Sequence, residues 1–345
     1  MKAYRYDCET FKLGLADVPI PTPGAGQALI RVEAAGLCHS DTNLLKGVVR
    51  LPHKQPITLG HEVAGTVIQL GPERAPPGTS ANTHDTPQPL SFKPGDRVAV
   101  AQVAHPLSPL NWVTSIGLGH DGGYAPFALA YVDRLVPIPR GVSFAQAASA
   151  TDAISTAYHA IVSTGAIGPG MTVGVIGLGG LGMNGLQVVA LRGATVYGVD
   201  VNVGKFGEAR TKGAVACAAS IKEFKDVVFD AVVDFVGMTV TTRSAIDAVR
   251  EGGTVVLVGL GESSVRIPSA RMVSKGVALL GSIGASLGDL REVLGLIEEG
   301  RLKPTLTEVP FGEVEAALWS LDRNEVAGRL YTCPGKESSV LKSNL

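Results

Sequence analysis

Cysteine is scarce in this 345-residue chain, with four residues at Cys8, Cys38, Cys217 and Cys333. They lie far apart and form no CxxC pair, which excludes a disulfide framework and a structural zinc site of the four-cysteine type. Charge of one sign is also lacking. Lys and Arg number 30 against 31 Asp and Glu, for a formal net charge of −1. No basic stripe exists to follow a phosphate backbone, so no nucleic-acid partner is expected. Charged residues make up only 18% of the chain and apolar ones 45%, which argues against disorder and for a large core. The N-terminal MKAYRYDCETFKL has no apolar h-region, so the expectation is a cytoplasmic protein without a secretory signal. Residues 153–191 carry no Asp, Glu, Lys or Arg, a length that could span a bilayer. That stretch holds nine glycines together with Pro169, Asn184 and Gln187. Such a composition suits a buried strand, turn and helix, so no membrane partner is expected.

Glycine, in contrast, is abundant at 43 residues and points to tight turns and close backbone approaches. The length suits about two domains. Up to residue 153 the chain reads as short strands (QALIRVEAAG, GHEVAGTVIQLG, GDRVAVA, YAPFALA) broken by PIPTPG, KPGD and IPRG. Over 154–287 the style changes. MTVGVIG, TVYGVD, DAVVDFVG, GTVVLVG and VALLGSIG are apolar runs without strict alternation, as central parallel strands require. Helical stretches such as GLGMNGLQVVALRG and TVTTRSAIDAVREGG lie between them. The fold class is therefore α/β, with a β-rich domain joined to a doubly wound domain. Residues 288–345 contain a helical DLREVLGLIEEGRL and then a helix and strand, and are expected to return to the first domain. The Pro-rich segment 72–91 reads as an exposed loop, and the final KSNL as a frayed tail.

Within the second domain, GLGGLG follows a strand and opens a helix. Gly177 permits the tight turn, Gly179 lets the backbone approach a pyrophosphate, and Gly182 lets helix and strand pack closely. The phosphates would sit on the free N–H groups of the helix N-terminus. Asp200 ends the next strand and is suited to the adenosine ribose hydroxyls. Its carboxylate repels a 2′-phosphate, which favours NAD over NADP. Lys205 could flank the same ribose.

Two polar clusters in the first domain, GLCHSD (36–41) and GHE (60–62), need a different explanation. Together with the KAYRY start, KPGDRVAV, DGGYAPFALA, LVPIP, the GLGGLG unit, DFVG and the GRL…GRL tail, they resemble the medium-chain, zinc-dependent alcohol dehydrogenases. The resemblance covers nearly the whole chain. It implies a GroES-like catalytic domain over 1–153 and 288–345 and a Rossmann cofactor domain over 154–287. It also implies one catalytic zinc on Cys38 and His61. The third ligand is usually a cysteine, and the matching position here is Asp152, as in a variant of the family associated with secondary alcohols. Asp is a suitable zinc ligand, and a Cys/His/Asp set leaves the fourth position open. The other role open to Asp152 is the N-cap of a helix starting at Ala153.

By the same resemblance, Glu62 lies behind the zinc as a transient ligand and Asp41 accepts a hydrogen bond from the ligand histidine. His39 meets the cofactor pyrophosphate, and Gly180, Leu181, Val258 and Arg329 add cofactor contacts. An alcohol oxygen on the zinc would form an alkoxide and lose hydride to the nicotinamide, with Ser40 passing on the proton. Many relatives continue that relay with a histidine where this chain has Asn43, so the proton is expected to leave to water or the cofactor ribose. The family's four-cysteine structural zinc lobe is missing from the stretch 101–123. That stretch carries Trp112 as a candidate pocket wall. His84, His105 and His120 lie in loops.

The implied activity is oxidation of an alcohol or reduction of a ketone, by a homodimer or homotetramer. Two alternatives stay open: reduction of a polarised C=C bond on the same fold, and a non-catalytic NAD(H)-binding protein. Product identity separates the first, and loss of ligands would mark the second.

Overall fold

A computed structural model of the protein describes residues 1–51, 53–73, 91–326 and 328–337. Most of the Pro-rich segment 72–91, with His84, and the final KSNL lie outside these residues.

The apolar runs of the second half become six parallel strands. In sheet order they are Ala214–Ala218, Thr195–Val199, Thr172–Ile176, Phe229–Asp234, Val249–Leu257 and Ala278–Gly281. Strand order therefore reverses beside Thr172–Ile176, and in such sheets the crevice at the carboxyl end of that strand is the ligand-binding place. Val173, Val175, Val196, Val232, Val233, Val255 and Val256 are all buried, because helices cover both faces. The helix in TVTTRSAIDAVREGG stops at Ala248, earlier than the sequence suggests. Val249 is buried and pairs with Phe229, so strand packing overrides helix propensity there.

The first half forms an antiparallel sheet around the long strand Gln27–Leu37. Glu62–Leu70 and Arg97–Val100 extend it on one side, and Arg329–Thr332 joins it on the other. That last strand brings the C-terminal stretch back to the first sheet. Gly36 and Leu37 are thereby set opposite Glu62 and Leu330.

Between the two sheets runs a helix over 144–164 that alternates α and π turns. Ser143 caps it, accepting from the Gln146 N–H at 3.2 Å. Ala147, Ala148, Ala150, Ile154, Ala157, Ala160 and Ile161 are all buried. A helix with this many buried apolar residues belongs inside, and it joins Ala34 and Ala64 of one sheet to Val173 and Val256 of the other in a continuous core. Among the described residues, no helix is long and apolar enough to cross a membrane.

The helix Leu287–Glu298 is tied to this central helix. Asp289 accepts from the Ser286 N–H at 2.9 Å, from the Ser163 hydroxyl at 2.9 Å and from His159 Nδ1 at 2.7 Å. Burial would raise its pKa, but the His159 and Ser286 bonds outweigh burial and hold the carboxyl below the usual range. A depressed folded-state pKa gives stability that is complete above the unfolded carboxylate pKa and is lost as pH falls toward the folded one. Asp289→Asn should therefore destabilise the protein at pH 7 and lose less than the parent as pH drops below about 4. Urea midpoints at pH 7 and pH 3.5 check this, and equal acid sensitivity of the two proteins would refute it.

Candidate active site

Four chemistry-bearing residues meet at the junction of the two sheets. Cys38 follows the strand Gln27–Leu37 and begins the helix His39–Leu45. His61 and Glu62 stand at the start of the strand Glu62–Leu70. Asp152 lies in the π turn Ala150–Ile154 of the central helix, well past its Ser143 cap, so it is not an N-cap. One ligand-type atom from each of the four lies within 4.8 Å of the others, and all four residues are buried.

The donor atoms of three converge. Cys38 Sγ is 3.5 Å from Asp152 Oδ2, and His61 Nε2 is 3.7 Å from the same oxygen. Bonds of about 2.0–2.3 Å in a tetrahedron separate neighbouring donors by about 3.3–3.8 Å, so these separations suit a zinc-sized ion. Both His61 ring nitrogens are buried with no hydrogen-bond partner, which is rare for polar atoms; Nδ1 faces Asp41 and Nε2 faces Cys38 and Asp152, where a cation would take its lone pair. Electrostatics agree. Burial lowers the His61 pKa, yet Asp41 and Asp152 overcome it and raise that pKa well above the ordinary value. Burial raises the Cys38 thiol, yet Arg329 and His61 bring it below its usual value. Asp152 is also held low against burial, by His61 and Thr156. The cluster draws positive charge to its centre, a demand that a divalent cation meets.

Glu62 has a different partner. Arg329 Nε donates to its Oε2 at 3.0 Å, and Arg329 Nη2 donates to Oε1. The same Nη2 reaches Asp152 Oδ2 at 3.4 Å. Asp41 stands behind His61, its Oδ1 3.4 Å from Nδ1. Its other oxygen accepts from Tyr124 Oη at 2.7 Å and from the Cys38 N–H at 3.2 Å. Tyr124 escapes sequence reasoning, because its partner is 83 positions away. Thr156 also escapes it, although it follows Asp152 by four residues on one helix and donates to Oδ1 at 2.7 Å.

Ser40 and His39 are both exposed. Ser40 Oγ is 3.5 Å from Cys38 Sγ. His39 lines one cleft with Leu178, Gly179, Gly180, Lys205 and Gly328. Gly177 has φ +89° and turns the chain out of the strand, and a Cβ on Gly182 would lie 1.6 Å from the Gly177 carbonyl. Around Gly179 the space is open. Asp200 accepts from the Leu178 N–H at 2.7 Å and from Lys205 Nζ at 3.1 Å. A Cβ on Gly180 would come 3.1 Å from Arg329 Nη1, so Arg329 lies between the metal-type cluster and the glycine loop. Leu181 belongs to the first turn of the helix Gly180–Leu191, and Val258 follows the strand Val249–Leu257. Neither loop histidine joins the cluster. His105 Nε2 is 3.0 Å from the Ile283 carbonyl, and His120 Nε2 is 3.1 Å from that of Thr114. Trp112 is half-exposed on the short helix Leu110–Thr114.

Comparison with known proteins agrees with this geometry. Residues 24–140 match the model of the alcohol dehydrogenase GroES-like domain, and residues 180–299 match that of zinc-binding dehydrogenases. An alcohol dehydrogenase of Geobacillus stearothermophilus is 31% identical, over 93% of this chain and 97% of that protein. An NAD-dependent alcohol dehydrogenase of Sulfurisphaera tokodaii is 30% identical, over 93% of this chain and 96% of that protein. Among solved structures, an acetophenone reductase from Geotrichum candidum in complex with NAD superposes with a TM-score of 0.85. It is 29% identical, over 98% of each chain. A cobalt- and zinc-bound alcohol dehydrogenase from Pyrobaculum aerophilum gives 0.82 at 26% identity, over 97% of this chain and 99% of that one.

The Arg329 pairing makes a stability prediction. Removing one partner of a buried ion pair costs about 3–5 kcal/mol. Arg329→Met should lose that much in urea unfolding, and the double variant Arg329→Met/Glu62→Gln should recover part of it. No recovery would mean that Glu62 is not the group Arg329 neutralises.

Proposed function

Because the chain belongs to the zinc-dependent, medium-chain alcohol dehydrogenase family, we propose that Cys38, His61 and Asp152 hold its catalytic zinc. The enzyme is an NAD-dependent alcohol dehydrogenase or ketone reductase acting on small molecules. The observation that carries the ligand assignment is that Cys38 Sγ and His61 Nε2, both buried, approach one Asp152 oxygen at 3.5 and 3.7 Å, the spacing of neighbouring ligands on a tetrahedral ion. Glu62 is assigned as a neighbour of the zinc, held back by Arg329. Asp152 favours secondary alcohols and ketones, and the likeness to an acetophenone reductase supports that choice.

A zinc ion held by these residues would supply Lewis acidity toward an alcohol oxygen, and bound NAD would supply the hydride acceptor. The remaining work falls to the chain itself. Asp41 fixes the His61 ring so that Nε2 faces the cluster, and Tyr124 fixes Asp41. The exposed Ser40 hydroxyl, beside Cys38, accepts the substrate proton and gives it to water or to the cofactor ribose, because Asn43 is an amide and no base. The free N–H groups of Gly180, Leu181 and Gly182, with His39, cradle the pyrophosphate, and Arg329 lends its charge from behind Gly180 while bonded to Glu62 and Asp152. Asp200, steadied by the Leu178 N–H and Lys205, takes the ribose hydroxyls. Val258 borders the nicotinamide end. In this reading 154–287 is the cofactor-binding unit, and 1–153 with 288–345 is the catalytic unit. A homodimer or homotetramer fits the open edge of the strand Ala278–Gly281, where Leu280 is exposed.

Protein purified without added metal should carry about one zinc per chain. Asp152→Ala should lose both zinc and turnover, with zinc affinity down at least about tenfold. Full activity in that variant would sink the ligand assignment. NADH with an unsaturated ketone should yield the unsaturated alcohol, whereas a saturated ketone would transfer the assignment to C=C reduction.

A further inference from the structure

A thiolate ligand offers one donor atom, but a carboxylate offers two. At position 152 the second oxygen is a hazard. If it also bound the metal it would fill the open coordination position that a substrate needs. If it turned away to a cation, the site would lose a ligand, and Arg329 Nη2 is already 3.4 Å from Oδ2. The geometry resolves the first problem and limits the second, by anchoring the carboxylate plane. Thr156 Oγ1 donates to Asp152 Oδ1 at 2.7 Å, while Oδ2 alone faces Cys38 Sγ and His61 Nε2. Both residues are buried, with Asp152 7% and Thr156 5% exposed, so water does not compete for that bond. A helical threonine usually turns its hydroxyl back to the carbonyl four residues earlier. Here it bonds the side chain at that position instead, just beyond the π turn that carries Asp152.

We infer that Thr156 is a positioning residue that makes Asp152 a one-oxygen metal ligand. By occupying Oδ1 it gives the carboxylate the valence of the cysteine more usual at this position. The inference rests on the ligand assignment above and deepens it.

The test compares wild type, Thr156→Val and Thr156→Ser, each loaded with one equivalent of Co²⁺ or Zn²⁺. Thr156→Val should bind metal about 10–100-fold more weakly in chelator competition. Its cobalt form should show the weakened visible bands of a five-coordinate ion in place of the intense bands of a four-coordinate one. Thr156→Ser keeps the hydroxyl and should restore both. The decisive control uses Asp152→Cys, whose ligand has one donor atom. In that background Thr156→Val should change metal affinity by less than about twofold. A tenfold loss there would show that Thr156 merely supports the helix, and would overturn the inference. So would a Thr156→Val protein with wild-type affinity and spectrum. Should that variant fail to fold, Thr156→Ala is read in the same way. A wild-type protein that takes up neither metal would overturn the ligand assignment itself, a result distinct from the others.

Discussion

Three carboxylates, a thiol, an imidazole and a guanidinium are buried within a few ångströms of one another, and the surrounding structure is organised by the cost of that burial. Each unpaired charge there would cost several kcal/mol. Glu62 is neutralised by Arg329, and Asp41 is satisfied by Tyr124 and the Cys38 N–H. Compensation is incomplete where Cys38, His61 and Asp152 point at one another, and also behind His61, where Nδ1 and Asp41 Oδ1 face each other at 3.4 Å without a hydrogen bond. The loop that supplies Tyr124 is pressed against the His61 backbone. A Cβ on Gly117 would lie 2.6 Å from the Gly60 carbonyl carbon, and one on Gly122 would lie 2.4 Å from its oxygen. Those glycines are a packing requirement of the metal-type cluster.

The central helix carries the rest of the load. It contributes Asp152 to the cluster and joins the hydrophobic cores of both sheets. Its far end is fastened by His159 to Asp289, and the His105 ring stacks on His159 with centroids 4.1 Å apart. His105 in turn reaches the Ile283 carbonyl beyond the last strand of the parallel sheet. The stretch that stands in place of the family's four-cysteine lobe is thus moored to the cofactor-side sheet by side chains.

How far the sequence reveals this depends on the range of each interaction. GLCHSD, GHE and GLGGLG are local, and each meets a local need: a helix start, a strand start, a tight turn. The α/β class and the parallel sheet follow from apolar runs whose pattern reports burial on both faces. The partners of these residues are not legible. Arg329 and Glu62 are 267 positions apart, and no spacing rule connects them. The sequence resemblance assigns Arg329 to the cofactor, whereas its guanidinium is engaged with Glu62 and Asp152 while still bordering Gly180. The π turn at Asp152 is also invisible, because small apolar residues such as those around it carry no 3.6-residue stripe from which to detect an extra residue per turn. Reading Asp152 as an N-cap fails because the helix has already begun at Ser143.

Arg329 gives the two halves of the site a shared element. One side of its guanidinium holds Glu62 and Asp152, and the other borders the glycine loop. An anion seated on that loop would draw on the same positive charge and loosen its hold on the carboxylates, leaving them freer to grip a cation. Linkage requires the converse, since a cation that engages the carboxylates releases Arg329 toward the anion, by the same factor. Were a metal held by the carboxylates and a dinucleotide by the loop, their affinities would be coupled as positive heterotropic cooperativity, with one buried side chain as the coupler.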